Sequence, residues 1–202
     1  MALTHVHLSA DDPYGTPGKT LKPGQVAPFL SVISQQLVLA AMGKKVVHHI
    51  DFDALVGVNR AVVALTGESY GCSDADKAKL ASVVKEVQAR ADNRSSDEAI
   101  PEKASLLVYK LASGQYFHAG NKRTALVSGL AFLMKNGYSM DIKNKTLVDT
   151  VDRVGMAGAS LDALFAAMAD LLKRGKADRK KWDGVIGSIV DSNKEFLTGL
   201  AA

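Results

Sequence analysis

Residues 101–137 read PEKASLLVYKLASG, then QYFHAGNKR, then TALVSGLAFLMKNG: two apolar segments separated by a polar one. In both apolar segments the hydrophobic residues recur at steps of three and four, which is the spacing of an amphipathic helix. Pro101 suits the first turn of a helix, and Gly114 and Gly137 suit helix ends. The stretch therefore predicts two apolar helices that end near these glycines and are joined by a polar loop.

The same helical spacing recurs on both sides of this pair, whereas strand patterns are almost absent. The predicted helices span residues 25–42, 51–67, 77–90, 146–154, 161–172 and 182–196. Ser73 or Asp74 and, further on, Ser160 suit the capping position before two of these helices. Only residues 46–49, Val-Val-His-His, suggest a short extended piece. The sequence therefore predicts an all-α protein whose helices are joined by short connections and pack against one another.

The composition is that of a globular protein in a reducing compartment. Hydrophobic residues make up 47% of the 202 residues and charged residues 23%, which argues against disorder across the whole chain. The single cysteine, Cys72, excludes an internal disulfide framework and a thiolate metal cluster. The longest apolar run, 37–42, is far shorter than the roughly 20 residues of a membrane span, and the first residues lack a signal-peptide pattern. We therefore expect a cytoplasmic protein without a membrane segment.

The charge balance and the histidines indicate neither nucleic acid nor metal. The 25 Lys and Arg against 21 Asp and Glu leave a net charge of +4, too small to indicate a nucleic-acid partner. We interpret the basic run 173–181 as a solvated linker, because nucleic-acid contact favours interleaved aromatic residues and only Trp182 is near. No acidic or thiol partner stands at ligand spacing from His48 and His49, so we expect no metal site.

The last predicted helix, 182–196, has an apolar stripe that must be buried. It packs on the core of its own domain, lies in an active-site groove as a built-in plug, or pairs with a second copy of the chain. We favour the first of these three arrangements.

The polar segment between these two apolar helices combines a helix start with two cations. Gly120 lets the backbone approach a ligand closely, and the first turn of a helix carries unpaired N–H groups and about half a positive charge. Asn121 can brace the loop or bind a ligand oxygen, while Lys122 and Arg123 add positive charge. Together these residues predict an anion pocket that suits phosphates; the alternative is a capped helix with two solvated cations.

The loop and the helix after it resemble a known signature. The motif FHAGNKRTA at residues 117–125, followed by FLMKNG at 132–137, resembles that of the Fic/Doc (death-on-curing) family. Its Lys-Arg-Thr-Ala part is more similar to the Doc branch. Weaker matches in the same chain order are HI at 49–50, SD at 73–74 and VQAR at 87–90.

The resemblance covers residues 46–172 and so predicts three parts of the chain. Residues 1–45 form an N-terminal arm and an amphipathic helix, the arm being indicated by three prolines and three glycines before residue 25. Residues 46–172 form the Fic/Doc-like helical domain. Residues 173–202 form the basic linker and the C-terminal amphipathic helix.

The resemblance also implies a fold and an activity. Members of the family are compact helical proteins in which two central helices flank the motif loop, and the loop binds a nucleoside triphosphate such as ATP together with Mg²⁺. They transfer AMP or a phosphoryl group to a hydroxyl of a protein. Doc-branch members are toxins that phosphorylate a translation elongation factor, and a neighbouring antitoxin segment often blocks the groove.

Two residues depart from the family motif at positions of chemical importance. The family has a His at the position of Gln115, which takes the proton of the attacking hydroxyl, and an acidic residue at the position of Ala119, which holds Mg²⁺. Glutamine cannot accept a proton near neutral pH, and losing a general base lowers rates by about 10²–10⁴-fold. Alanine has no side-chain oxygen for Mg²⁺. We therefore expect phosphate binding at Gly120–Arg123 with weak or lost transfer and without Mg²⁺.

Two alternatives stay open for the activity. His118 lies three residues after the missing base, and an imidazole with a pKa of about 6.5 can act as a base, although such an offset in a turn directs the side chain elsewhere. In that case the chain is an active transferase that uses His118. Alternatively, the groove holds a nucleotide or a partner peptide without chemistry, for instance as a decoy that sequesters an antitoxin.

Overall fold

The structure, a computed structural model, describes residues 46–92 and 94–200. The predicted arm and helix of residues 1–45 therefore lie outside the described residues. From Val47 onward the described residues form one compact unit. They are mostly helical, so the predicted all-α class is confirmed. No helix among them is both long and apolar enough to cross a bilayer.

Eight helices and two short strands follow one another along the described part of the chain. The helices are α1 (Phe52–Ala64), α2 (Asp74–Ala89), α3 (Ser96–Gly114), α4 (Asn121–Lys135), α5 (Lys145–Gly155), α6 (Leu161–Ala169), α7 (Trp182–Ser192) and α8 (Lys194–Gly199). The strands β1 (Tyr138–Ser139) and β2 (Lys173–Arg174) pair antiparallel. The extended piece predicted at residues 46–49 is not part of a strand.

Helices α3 and α4 form the centre of the fold, as the sequence predicts. Every residue from Arg123 to Leu133 is buried, so α4 is enclosed on all sides rather than along one face. Helix α4 packs against α1, α3 and α7, and α3 in turn contacts α2, α5 and α6. The polar loop therefore joins the two central helices, and the packed core holds both of its ends.

Four helix starts are capped by the side chain of the preceding residue. The capping residues are Asp51, Ser73, Asn144 and Ser160, each accepting the N–H of the third residue after it at 2.8, 3.1, 3.2 and 3.2 Å respectively. The predicted caps at Ser73 and Ser160 are thus confirmed. The start of α4 differs, because its N-cap is Gly120, which has no side chain to accept from the first turn.

Two predicted helices differ most from the observed ones, each for a local reason. Helix α3 begins five residues before Pro101, because the Glu98 carboxylate accepts hydrogen bonds from Ser95 N and Ser95 Oγ and so closes an earlier first turn. The last predicted helix is two helices. Asn193 ends α7, and its side-chain amide donates to Ile189 O at 2.8 Å.

The C-terminal part of the chain packs on the same core. Helix α7 contacts α1 and α4 and buries four aliphatic residues, Val185, Ile186, Ile189 and Val190. This is the favoured one of the three predicted arrangements. The basic run before α7 also contacts the rest of the unit. It contains β2, which pairs with β1, and Asp178 N donates to Met134 O at 2.9 Å.

His49 is a half-buried titratable group at the start of this unit. Its Nδ1 atom is buried and has no hydrogen-bond partner among the described residues. Burial lowers the pKa of His49, Lys103 and then His48 lower it further, and Asp92 raises it. Because the pKa of the folded state is lowered, folding favours the neutral imidazole.

We expect the protein to lose stability as the pH falls, through His49. A group with a lowered folded pKa contributes fully above its unfolded pKa, about 6.5, and its contribution is lost as the pH falls through the folded value. Urea unfolding should give a smaller free energy of unfolding at about pH 5.5 than at about pH 7.5. His49→Asn should reduce this difference, and an unchanged difference in that variant would assign the pH dependence to other groups.

Candidate functional site

The loop between α3 and α4 is bracketed by two residues in the left-handed conformation. Gln115, at its start, has φ 48° and Gly120, at its end, has φ 72°. Two features require a glycine at position 120. One is the left-handed backbone, and the other is space, because a Cβ atom there would lie 2.9 Å from Val63 Cγ1 and 3.4 Å from Val62 Cγ2. The close approach predicted for Gly120 is therefore an approach to α1 within the protein itself.

Asn59 of α1 is hydrogen-bonded to the end of the loop. It is fully buried, and its Nδ2 donates to Ala119 O at 2.9 Å and to Thr124 Oγ1 at 3.0 Å. The sequence analysis missed this residue. Its signal is an asparagine on the apolar face of a helix, four residues after Leu55 and three before Val62, where a polar group needs a partner.

Asn121 braces the loop, which is one of the two roles that the sequence left open. Its Oδ1 accepts from Phe117 N at 3.0 Å and its Nδ2 donates to Phe117 O at 2.6 Å. The Phe117 ring is buried in the core. These two hydrogen bonds connect the middle of the loop to the first residue of α4.

Gln115, at the position of the family's His, is part of the same brace. Its Nε2 donates to Ala112 O at 3.1 Å, and its Oε1 accepts from Asn121 Nδ2 at 3.2 Å. Both ends of the side-chain amide are therefore engaged within the protein. An amide is also no Brønsted base near neutral pH, so Gln115 supports the loop and does not take a proton.

Lys122 reaches from the first turn of α4 to α5. Its Nζ lies 2.5 Å from Asp152 Oδ1, and the two side chains are 33% and 32% exposed. Sequence reasoning missed Asp152, because an ion pair between two helices leaves no mark in the local spacing. Lys122 is thus a half-buried cation that is already paired.

Arg123 points away from the predicted pocket. It is buried, and its Nη1 donates to Val62 O at 3.1 Å and to Thr66 Oγ1 at 2.8 Å, while its Nη2 pairs with Glu68. Hydrogen bonds from Thr66 and then from Arg123 lower the pKa of Glu68. The structure does not bring Arg123 together with Lys122, because consecutive helical residues point about 100° apart.

The N–H groups at the start of α4 have no acceptor in the described part of the chain. Thr124 N is the first that is bonded, to Gly120 O at 2.8 Å, and no hydrogen bond is made there by the N–H of Asn121, Lys122 or Arg123. Asn121 and Lys122 are partly exposed. Three N–H groups at the positive end of the helix dipole therefore have no acceptor among the described residues, and two of the three belong to partly exposed residues.

His118 lies against Gly71, in the loop before α2, rather than beside Gln115. Its N–H donates to Gly71 O at 2.9 Å, and a Cβ atom on Gly71 would lie only 2.3 Å from His118 Nδ1. Hydrogen bonds from Ser73 and Lys79 lower the pKa of Asp76 on α2, and His118 adds to this through its charge. Gln115, by contrast, lies near the end of α5, where a Cβ atom on Gly155 would be 3.7 Å from its Nε2. The offset of three residues therefore places the imidazole against a different segment, the loop that contains Gly71.

The residues at the motif position do not fit Mg²⁺. Ala119 has no carboxylate, its methyl group packs on the core, and its carbonyl accepts from Asn59. Within residues 46–92 and 94–200, no three His, Cys, Asp or Glu side chains are grouped so as to hold a metal ion. At this position the loop therefore offers Mg²⁺ no carboxylate ligand of its own.

Comparison with known proteins identifies a relative of this chain. Over 126 residues the chain is 32% identical to the protein kinase Doc of Escherichia phage P1. The aligned part covers 62% of this chain and 94% of the phage protein. No family model matches the chain, and no solved structure matches it either.

Proposed function

The chain belongs to the Doc family, and on that premise we propose that it is a Doc-like protein that binds the phosphates of a nucleotide at the start of α4 but transfers them weakly or not at all. The relative's name is that of a protein kinase, so a nucleoside triphosphate is the natural phosphate donor. The proposed acceptor is a hydroxyl of a protein. A translation factor as target and an antitoxin segment as inhibitor follow from the family resemblance and are part of the same proposal.

One observation carries the binding half of the proposal. The first turn of α4 presents the unpaired N–H groups of Asn121, Lys122 and Arg123, and Lys122 adds a partly exposed ammonium. Oriented N–H groups at a helix start bind phosphate well, because each donates a hydrogen bond and the helix dipole favours the negative charge. The braces from Asn59 and Asn121 hold this arrangement in place before any ligand arrives.

The weak or absent transfer that we propose follows from the chemistry of Gln115. In phosphoryl transfer the hydroxyl oxygen bonds to the γ-phosphorus, the bond to the β–γ bridging oxygen breaks, and ADP leaves. The proton of the hydroxyl must go to a base. The engaged amide of Gln115 cannot accept it, so the proton passes to solvent and the rate falls by about 10²–10⁴-fold.

We expect Lys122→Met to weaken ATP binding by about tenfold, because it removes a charge-assisted contact to phosphate. Calorimetric titration of ATP into both proteins measures the change. Lys145→Met is the matched control, since Lys145 is an exposed lysine paired with Asp149 on α5. No saturable heat with the unmodified protein, or equal affinity in Lys122→Met, would count against the phosphate site.

The alternative base has its own test. Labelled ATP is incubated with the protein and a cell lysate, using the label on the α or the γ phosphate to separate AMP transfer from phosphorylation. We expect little transfer from either position, and His118→Ala to leave it unchanged, because the imidazole lies against Gly71. Robust transfer that His118→Ala abolishes would establish the active-transferase alternative in place of the weak one.

A further inference from the structure

Of the two cations in the loop motif, the one that reaches solvent is already paired. Lys122 Nζ lies 2.5 Å from Asp152 Oδ1, whereas the guanidinium of Arg123 is buried and bonded to α1 and Thr66. A phosphate that binds the first turn of α4 therefore meets an ammonium and a carboxylate together. The family motif contains no position for this carboxylate, which comes from α5, thirty residues further along the chain.

We propose that Asp152 is the counter-ion of Lys122 and that it sets how tightly the loop binds a phosphate. The inference rests on the proposed function, because it concerns the same phosphate site. In the pair the two unit charges cancel, so the helix start attracts an anion mainly through its dipole, equivalent to about half a charge. A bound phosphate has to share or displace the carboxylate on the ammonium, and the two anions repel each other.

A carboxylate beside a lysine can also act in the opposite sense, by holding the ammonium in position for the ligand. The arrangement of the two helices favours competition. The start of α4 is held by Asn59 and Asn121, and α5 is anchored by its Asn144 cap and three buried aliphatic residues. Neither helix depends on the ion pair for its position. Removing the charge of Asp152 therefore leaves the N–H groups in place and leaves Lys122 without a competing anion.

The test is a calorimetric titration of inorganic phosphate, without Mg²⁺, into the unmodified protein and Asp152→Asn. We expect Asp152→Asn to bind phosphate about tenfold more tightly, the effect of one unit charge at a partly exposed site. Asp149→Asn is the matched control: Asp149 lies on the same helix, pairs with Lys145 at 2.7 Å and is 53% exposed. It should change the affinity by less than about twofold, because an exposed pair contributes little.

Two further variants distinguish an effect of the Asp152 charge on phosphate affinity from an effect on the fold. Asp152→Glu keeps the charge and should bind phosphate as the unmodified protein does. Asp152→Ala removes the charge and should bind phosphate more tightly. It replaces Asp152→Asn in the test if circular dichroism shows that the asparagine variant does not fold. Tight binding by Asp152→Asn where the unmodified protein shows none would support the inference. Equal or weaker binding in Asp152→Asn, with clear binding by the unmodified protein, would overturn it and leave the proposed function intact. No binding by any of these proteins would overturn both.

Discussion

Restoring both family residues, Gln115→His with Ala119→Asp, is expected to raise phosphoryl transfer by about 100-fold or more. Position 115 lies next to the proposed phosphate site, since Gln115 Oε1 accepts from Asn121 Nδ2 at 3.2 Å. An imidazole there can take the proton of the attacking hydroxyl near neutral pH. The added carboxylate supplies the hard oxygen ligand that Mg²⁺ prefers. Transfer from γ-labelled ATP to lysate proteins, with Mg²⁺ present, measures the gain.

The control for this gain is Gln115→Ala. It breaks the same hydrogen bonds to Ala112 O and Asn121 as the histidine variant but adds no base, so its transfer should stay at the unmodified level. A folded double variant that is no more active than the unmodified protein would locate the defect outside these two positions. Loss of transfer in Gln115→Ala would mean that the glutamine itself contributes to the reaction.

Gly120→Ala is expected to lower the free energy of unfolding by about 3 kcal/mol. The residue has φ 72°, which costs an L-residue about 1–2 kcal/mol. The added methyl group would also lie 2.9 Å from Val63 Cγ1, and Val63 is a buried β-branched residue with little freedom to move. Urea unfolding gives the free energy, and phosphate affinity should fall with it because the start of α4 is displaced.

Gly67→Ala separates the two contributions. Gly67 has φ 71°, nearly the same as Gly120, but no atom lies within 4 Å of the position of its Cβ. It should therefore show only the backbone cost, about 1 kcal/mol. An equal loss of stability in the two variants would mean that α1 moves aside and that the packing at Gly120 is loose.

The fold could be predicted wherever the signal is local. The spacing of apolar residues predicts the helices α3 and α4, and Ser73 and Ser160 cap helices as expected, because periodicity and capping act over a few residues. That these two helices are central is what the family resemblance implies. The predicted start at Pro101 is wrong, because the contact between Ser95 and Glu98 begins α3 five residues earlier. The pairing of β1 with β2 could not be predicted, since each is two residues long and lies 35 residues from the other.

In the candidate site, too, the residue types follow from local sequence, whereas their contacts do not. The sequence alone places a glycine, an asparagine and two cations at the start of an apolar helix, and it places Gln115 and Ala119 where the family resemblance implies a base and a metal ligand. The direction of each of these side chains depends on how the helices pack. Asn121 turns back to its own loop, Lys122 turns to α5 and Arg123 to α1. Successive side chains diverge by about 100° around a helix, so the partner of each is set by whichever helix packs on that side.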